Sequence, residues 1–194
     1  MILPIVAYGD PVLRKTGVEI DKDYPNLSEL IENMRETMQN ANGVGLAAPQ
    51  IGKAIRLFLV DASPFAESDE LENEERDFLK EFKKVFINPK IIAEKGEEWA
   101  FSEGCLTIPN INEDVLRKEI IDIEYFDENF EAKRETLDGL AARIFQHEFD
   151  HIEGVLFTDK LSTLKKRLLK KKLDNISKGK IDVDYRMKFP NIKR

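Results

Sequence analysis

The chain's only two histidines, His147 and His151, stand four residues apart with Glu148 between them, and this restricts the fold more than any other feature. In an H-E-x-x-H pattern, positions i and i+4 share one helix face a turn apart, so two imidazoles can converge on one metal ion. The segment must therefore be helical, with its metal-facing side buried. A helix is predicted from about Asp138 or Gly139 to Ile152, with Gly154 placed to end it. Leu140 and Ile144 fall on the same stripe as the two histidines. Glu148 lies close enough to exchange protons with water at the ion.

A catalytic site of this kind needs three protein ligands and one open position. Downstream of His151 no suitable third ligand exists. Gly154 fits the metzincin continuation, but the ligand position after it is Phe157. No glutamate follows Glu153, which removes the gluzincin arrangement. Asp159 is too close to the helix end, and Asp174, Asp182 and Asp184 lie in or after a basic tail. Upstream stands Cys105, the only thiol, in Glu103-Gly104-Cys105-Leu106-Thr107. A lone cysteine is usually a small buried hydrophobe. Here Gly104 allows close backbone approach, and cysteine with two histidines suits a tetrahedral site with water in the fourth position. A single cysteine also excludes an intrachain disulfide.

The other elements follow from periodicity. A helix is predicted near 26–41, capped by Asn26 with Glu29 three positions on, its apolar face formed by Leu27, Ile31, Met34, Met38 and Ala41. Glycine in Asn42-Gly43-Val44-Gly45 is expected to supply the positive φ that stops it. Strands are predicted at 55–60, 85–89, 91–94, 98–102, 115–118, 120–126 and 131–137, with a turn at Asp127-Glu128-Asn129. Residues 64–84 hold eight acidic residues between Glu67 and Glu81 and read as a surface excursion, mobile or partly helical. A basic helix is expected near 162–177 and a short strand at 181–186. The sum is an α+β fold, antiparallel strands packed around a central H-E-x-x-H helix. A length of 194 residues suits one domain.

Charge is unevenly spread. The net charge is −7, yet residues 159–194 hold thirteen Lys and Arg against four Asp, a local surplus of +9 on an acidic body. A basic tail suits a polyanionic partner. No apolar run reaches the roughly 20 residues of a membrane helix, and the start, interrupted by Pro4, has no basic leader. A cytoplasmic location is expected.

Three motifs together resemble the peptide deformylase family, whose members remove the formyl group from the N-terminal methionine of new bacterial or organellar proteins. They are Gly43-Val44-Gly45-Leu46-Ala47-Ala48-Pro49-Gln50, Glu103-Gly104-Cys105-Leu106-Thr107 and Gln146-His147-Glu148-Phe149-Asp150-His151, and their order and separation fit. The similarity runs from about residue 1 to 160, which marks the catalytic domain, with 161–194 a basic helix and tail of the same domain. The resemblance implies one Fe2+ ion per chain, with Zn2+, Ni2+ or Co2+ able to substitute, held by Cys105, His147 and His151. It makes Glu148 the general base and acid and assigns the Gln50 side chain and the Leu106 N–H to the oxyanion. The backbone around Gly45 would pair with an extended formyl-peptide, and Val44, Leu140 and Ile144 would help line its methionine pocket. N-formyl-methionyl nascent peptides are then the substrates, with a contact to ribosomal RNA through the basic helix, and neither DNA nor membrane as partner. Thr107 stands where the family commonly has serine, and Asn112 where it often has a substrate-contacting arginine. Other readings are an H-E-x-x-H peptidase that cuts internal bonds, which the missing downstream ligand disfavours, and a non-catalytic RNA-binding module, which the intact motifs disfavour.

Overall fold

A computed structural model describes residues 1–68 and 71–191. In chain order the elements are β1 (Ile5–Val6), α1 (Leu27–Asn40), β2 (Gly45–Ala47), β3 (Leu57–Asp61), α2 (Asn73–Glu81), β4 (Lys83–Cys105), β5 (Ile108–Phe126), β6 (Ala132–Asp138), α3 (Gly139–Ile152), α4 (Thr163–Ser177) and β7 (Met187–Lys188). Strands β2-β3-β4-β5-β6 form one antiparallel sheet in that order, so β2 lies at one edge. This is the α+β fold expected, with α3 packed on the sheet.

Alternation along β3 explains how the sheet carries helices on both faces. Phe58 and Val60 point into a core shared with Phe86, Ile121 and Ile123 and with Ala141, Phe145 and Ile152 of α3. Leu57 and Leu59 point the other way, joining Val85 and Ile87 against Leu30, Ile31, Met34 and Met38 of α1. The Phe145 ring meets Phe58 and Phe86 edge-on, with centroids 5.1 and 4.9 Å away. α3 is therefore fixed on its sheet side by large rings, and its opposite side is left for the site. α4 packs Leu169, Leu173 and Ile176 against Ile108, Ile111 and Val115 of β5.

Several local expectations are corrected. The pieces foreseen at 85–89, 91–94 and 98–102 are one strand, β4, and 115–118 and 120–126 belong to β5; register shifts at Ile87/Lys90, Ile91/Ala93 and Lys95/Glu98 interrupt the alternation that would have revealed their continuity. The strand expected at 181–186 does not form. That segment is irregular, and pairing begins only at Met187–Lys188, in parallel with Ile5–Val6. Asn26 precedes α1 but is left-handed at φ 54°, and its side chain makes no capping bond. Past α1, Asn42 rather than a glycine takes the positive φ, at 53°. The acidic excursion contains a 3-10 turn at Ser63–Glu67 and then α2, whose Leu79 is buried in the core beside Phe82. Asp69 and Glu70, and the terminal residues 192–194, lie outside the described residues.

Candidate active site

Three elements meet at the site: α3, the tip of the β4–β5 hairpin, and the segment from β2 to Gln50. The hairpin tip is Leu106-Thr107, flanked by the paired residues Cys105 and Ile108. It brings Cys105 to the His147–His151 face of α3. One ligand atom from each of Cys105, His147 and His151 lies within 4.8 Å of the others, and Cys105 Sγ is 3.3 Å from His151 Nε2. Bonds of about 2.3 Å to sulfur and 2.0–2.1 Å to nitrogen at tetrahedral angles call for a separation of roughly 3.5 Å. The Cys105–His151 separation therefore matches a shared ion, and His147 lies close enough to complete the set. Phe157, at the metzincin third-ligand position, stacks on His147 with ring centroids 6.0 Å apart.

Behind the histidines lies a buried ionic cluster. Glu103 accepts from His147 Nδ1 at 2.9 Å, from Arg117 Nε and Nη2 at 2.6 and 2.9 Å, and from Arg143 Nη1 at 2.9 Å. Arg117 also donates to Asp150 at 2.7 Å, and Arg143 to the carbonyls of Trp99 and Val115. The bond to Nδ1 turns Nε2 of His147 toward Cys105 and fixes the tautomer. Burial alone would raise the Glu103 carboxyl, but hydrogen bonds from Arg117 and His147 outweigh it and hold it well below the usual carboxylate range. Burial, helped by the charges of His147 and Arg117, pushes His151 well below its ordinary value, so it is neutral, as a ligand must be. Burial also lowers His147, yet its hydrogen bonds to Cys105 and Glu103 prevail and carry it up to about 10, which couples ion binding there to proton release.

Glu148 is buried, and its Oε2 has no partner among the described residues. Burial is the main cause that pushes its carboxyl up to about 7. It lies against β2: a Cβ on Gly45 would collide with Glu148 Oε1, so a larger residue there would displace that carboxylate. Gln50 is 1% exposed, and its Oε1 accepts from Ala47 N–H at 2.7 Å. That bond settles the amide's orientation and aims Nε2 at Cys105 Sγ, 3.6 Å away, and Thr107 Oγ1, 3.5 Å away.

These groups line a cleft of about 760 Å³, walled by Gly43–Gly45, Phe65, Phe101, Ile144 and the segment Asp182–Tyr185. A family model described as polypeptide deformylase matches residues 2–167. The chain belongs to the polypeptide deformylase family. It is a hydrolase that removes the formyl group from nascent polypeptides in a metal-dependent reaction. It is 65% identical over 194 residues to a peptide deformylase of Christiangramia forsetii, covering 100% of this chain and 99% of that one. It is 63% identical over 194 residues to one of Flavobacterium psychrophilum, with 100% of both chains covered. Among solved structures, a peptide deformylase from Legionella pneumophila superposes with a TM-score of 0.77 at 35% identity, over 93% of this chain and 98% of that one. One from Thermotoga maritima gives 0.72 at 38%, over 84% and 99%.

Of the residues expected at a deformylase site, Cys105, His147, His151, Glu148, Gln50, Leu106, Val44, Gly45 and Ile144 are brought together: all but His151 line the cleft, and His151 lies just behind Cys105. Leu140 is not brought to the cleft. It opens on a separate depression with Glu75, Phe78 and Trp99, because the first turn of α3 starts beside α2; Phe65 and Phe101 supply apolar wall in the cleft instead. Asn112 does line the cleft, packed against Gly104. Sequence reasoning gave no role to Glu103, Arg117, Arg143 or Tyr185. Glu103 was visible as a charge two residues from Cys105, but its partners lie 14, 40 and 44 positions away.

Proposed function

We propose that Cys105, His147 and His151 hold a single divalent ion, Fe2+ in the cell, at which N-formyl-methionyl peptides are deformylated to formate and a free N-terminus. The convergence of those three donors beside an unpartnered, buried Glu148 carries this reading. The ion would supply Lewis acidity, polarising the formyl carbonyl and lowering the pKa of water from 15.7 toward ~7. Glu148 takes the proton of the attacking water and returns it to the leaving amine. Its raised pKa suits a group that must both accept and donate near neutral pH. A thiolate ligand leaves the ion less acidic than three imidazoles would, which increases the demand on this base. Gln50 Nε2 and the Leu106 N–H would stabilise the oxyanion; losing one such donor typically costs about 10²–10³ in rate.

The edge position of β2 supports the assigned peptide site. Gly45 lines the cleft and Gly45–Ala47 pair on one side only, with β3, so an extended peptide can add as a further strand. Its methionine side chain would meet Val44 and Ile144 rather than Leu140. The test is Glu148→Gln: metal content should stay at one ion per chain while kcat for formate release falls about 10²–10⁴-fold. Turnover within a factor of three of the parent would remove Glu148 from the mechanism.

Residues 161–194 are best taken as part of the same domain, since α4 is packed by Leu169, Leu173 and Ile176. The outer face of α4 exposes Leu164 and Leu168, 65% and 71% accessible, among Lys166, Arg167, Lys170, Lys171 and Lys172, which form no ion pair among the described residues. Docking of this face on ribosomal RNA near emerging chains, in the cytoplasm, accounts for that combination. Lys166→Glu with Lys170→Glu should abolish cosedimentation with ribosomes at low salt; binding that is unchanged rejects it.

A further inference from the structure

The β4–β5 tip carries both Cys105 and the Leu106 N–H, yet its own turn chemistry does little to hold it. Two-residue hairpin loops favour turns with positive φ, supplied by Asn, Asp or Gly. Leu106 and Thr107 are neither of those types nor at positive φ. The ladder beneath the tip is broken as well. Glu103 pairs with Glu113 and Cys105 with Ile108, so residues 109–112 stand opposite Gly104 alone.

Gln50 reaches the side chains of this turn, but the bonds to its backbone carbonyls come from the two ends of the described chain. Tyr185 Oη donates to the Leu106 carbonyl at 2.7 Å. Tyr8 N–H donates to the Thr107 carbonyl at 3.0 Å. Both residues flank one small structure, the parallel β1–β7 pair, in which Ile5 N–H donates to Arg186 O and Ala7 N–H to Lys188 O, each at 2.9 Å. Asn110 Nδ2 donates to the Asp182 carbonyl at 3.4 Å, tying the same segment to the hairpin. Bonds to the Leu106 and Thr107 carbonyls hold the two peptide planes on either side of the Thr107 Cα, and the first of these joins, at the Leu106 Cα, the plane that carries the Leu106 N–H.

We propose that Tyr185, carried by this two-strand clamp, is a positioning residue that locks the Cys105–Thr107 turn with the Leu106 N–H aimed into the cleft. The proposal rests on the donor role given above to Leu106. The Tyr185 hydroxyl donates to the Leu106 carbonyl, so its effect on the reaction runs through the turn. A donor displaced by about 1 Å can cost around 10² in rate without loss of binding.

The decisive variant is Tyr185→Phe, which removes one hydroxyl and keeps the ring in its apolar surroundings. With nickel-loaded protein and a formyl-methionyl tripeptide, kcat is expected to fall at least tenfold while KM moves less than twofold. Amide hydrogen exchange over residues 104–108, read by mass spectrometry, should speed up several-fold. Arg186→Ala, an exposed neighbour on the same segment, should leave both readouts unchanged. A Phe variant with parental kcat, or with parental exchange at the tip, overturns the proposal. Should that variant fail to fold, Asn110→Ala takes its place, and unchanged exchange at 104–108 overturns the proposal there. A parent protein that releases no formate defeats the functional reading instead, and the exchange measurement still judges the clamp.

Discussion

At the scale of single residues, one buried carboxylate ties the candidate site together. Glu103 is 4% exposed and serves two arginines and His147 at once. Buried charges of this kind cost several kcal/mol to desolvate, and removing one partner leaves the rest uncompensated. Glu103→Gln keeps an oxygen for His147 but strands Arg143 without its counter-charge and leaves Arg117 with Asp150 alone. Chemical denaturation should show about 3–5 kcal/mol of lost stability. Competition with a chelator should show metal affinity weaker by about 10–100-fold, because Glu103 is what orients His147. A variant with parental affinity would mean that packing against Phe157 alone orients the imidazole.

At the scale of elements, the edge strand β2 and the helix α3 are matched to each other through Gly45 and Glu148. Any side chain at position 45 competes for the space of the Glu148 carboxylate. Gly45→Ala should therefore lower kcat/KM about 10²-fold with little change in melting temperature, which steady-state kinetics and calorimetry would separate. Parental kinetics in that variant would show that the strand and the carboxylate are not in register as described. Elements differed in how far the sequence disclosed them. α3 was legible to within a residue because its stripe, its start near Gly139 and its stop at Gly154 are all local signals. So was the grouping of Cys105 with the histidines, since no other soft ligand was available. The end of the chain was not legible: Ile181, Val183 and Tyr185 alternate like a strand, but this segment pairs with no strand among the described residues, and pairing begins only at Met187 beside Ile5. Nor could Leu140 be placed from helix spacing, which gives its stripe but not that α2 stands beside the first turn.

At the scale of the whole molecule, the chain is closed by contacts between regions far apart in sequence, and these should govern its response to acid. Arg14 and Asp159 are paired by two hydrogen bonds across 145 positions. Burial raises Asp159, but its bonds to Arg14 and to the Leu156 N–H outweigh that and lower it below its ordinary value of 3.8. The stability this pair adds is therefore present above that ordinary value and is lost as the pH falls through the lowered one. Both side chains are more than a third exposed, so the contribution is at most about 1 kcal/mol. Asp159→Asn should melt below the parent at pH 7, and the two curves should draw together below about pH 4. The ionic cluster, the hairpin tip and the edge strand surround one cleft, and one measurement tests directly whether a metal-dependent reaction takes place there. Formate release is followed from a formyl-methionyl tripeptide by protein carrying one divalent ion per chain, and by the same protein after chelation and after readdition of the ion. Release that stops on chelation and returns on readdition is predicted, with no cleavage of the internal bonds of the same peptide. Release indifferent to the ion, or cutting of internal bonds without formate, would contradict the account.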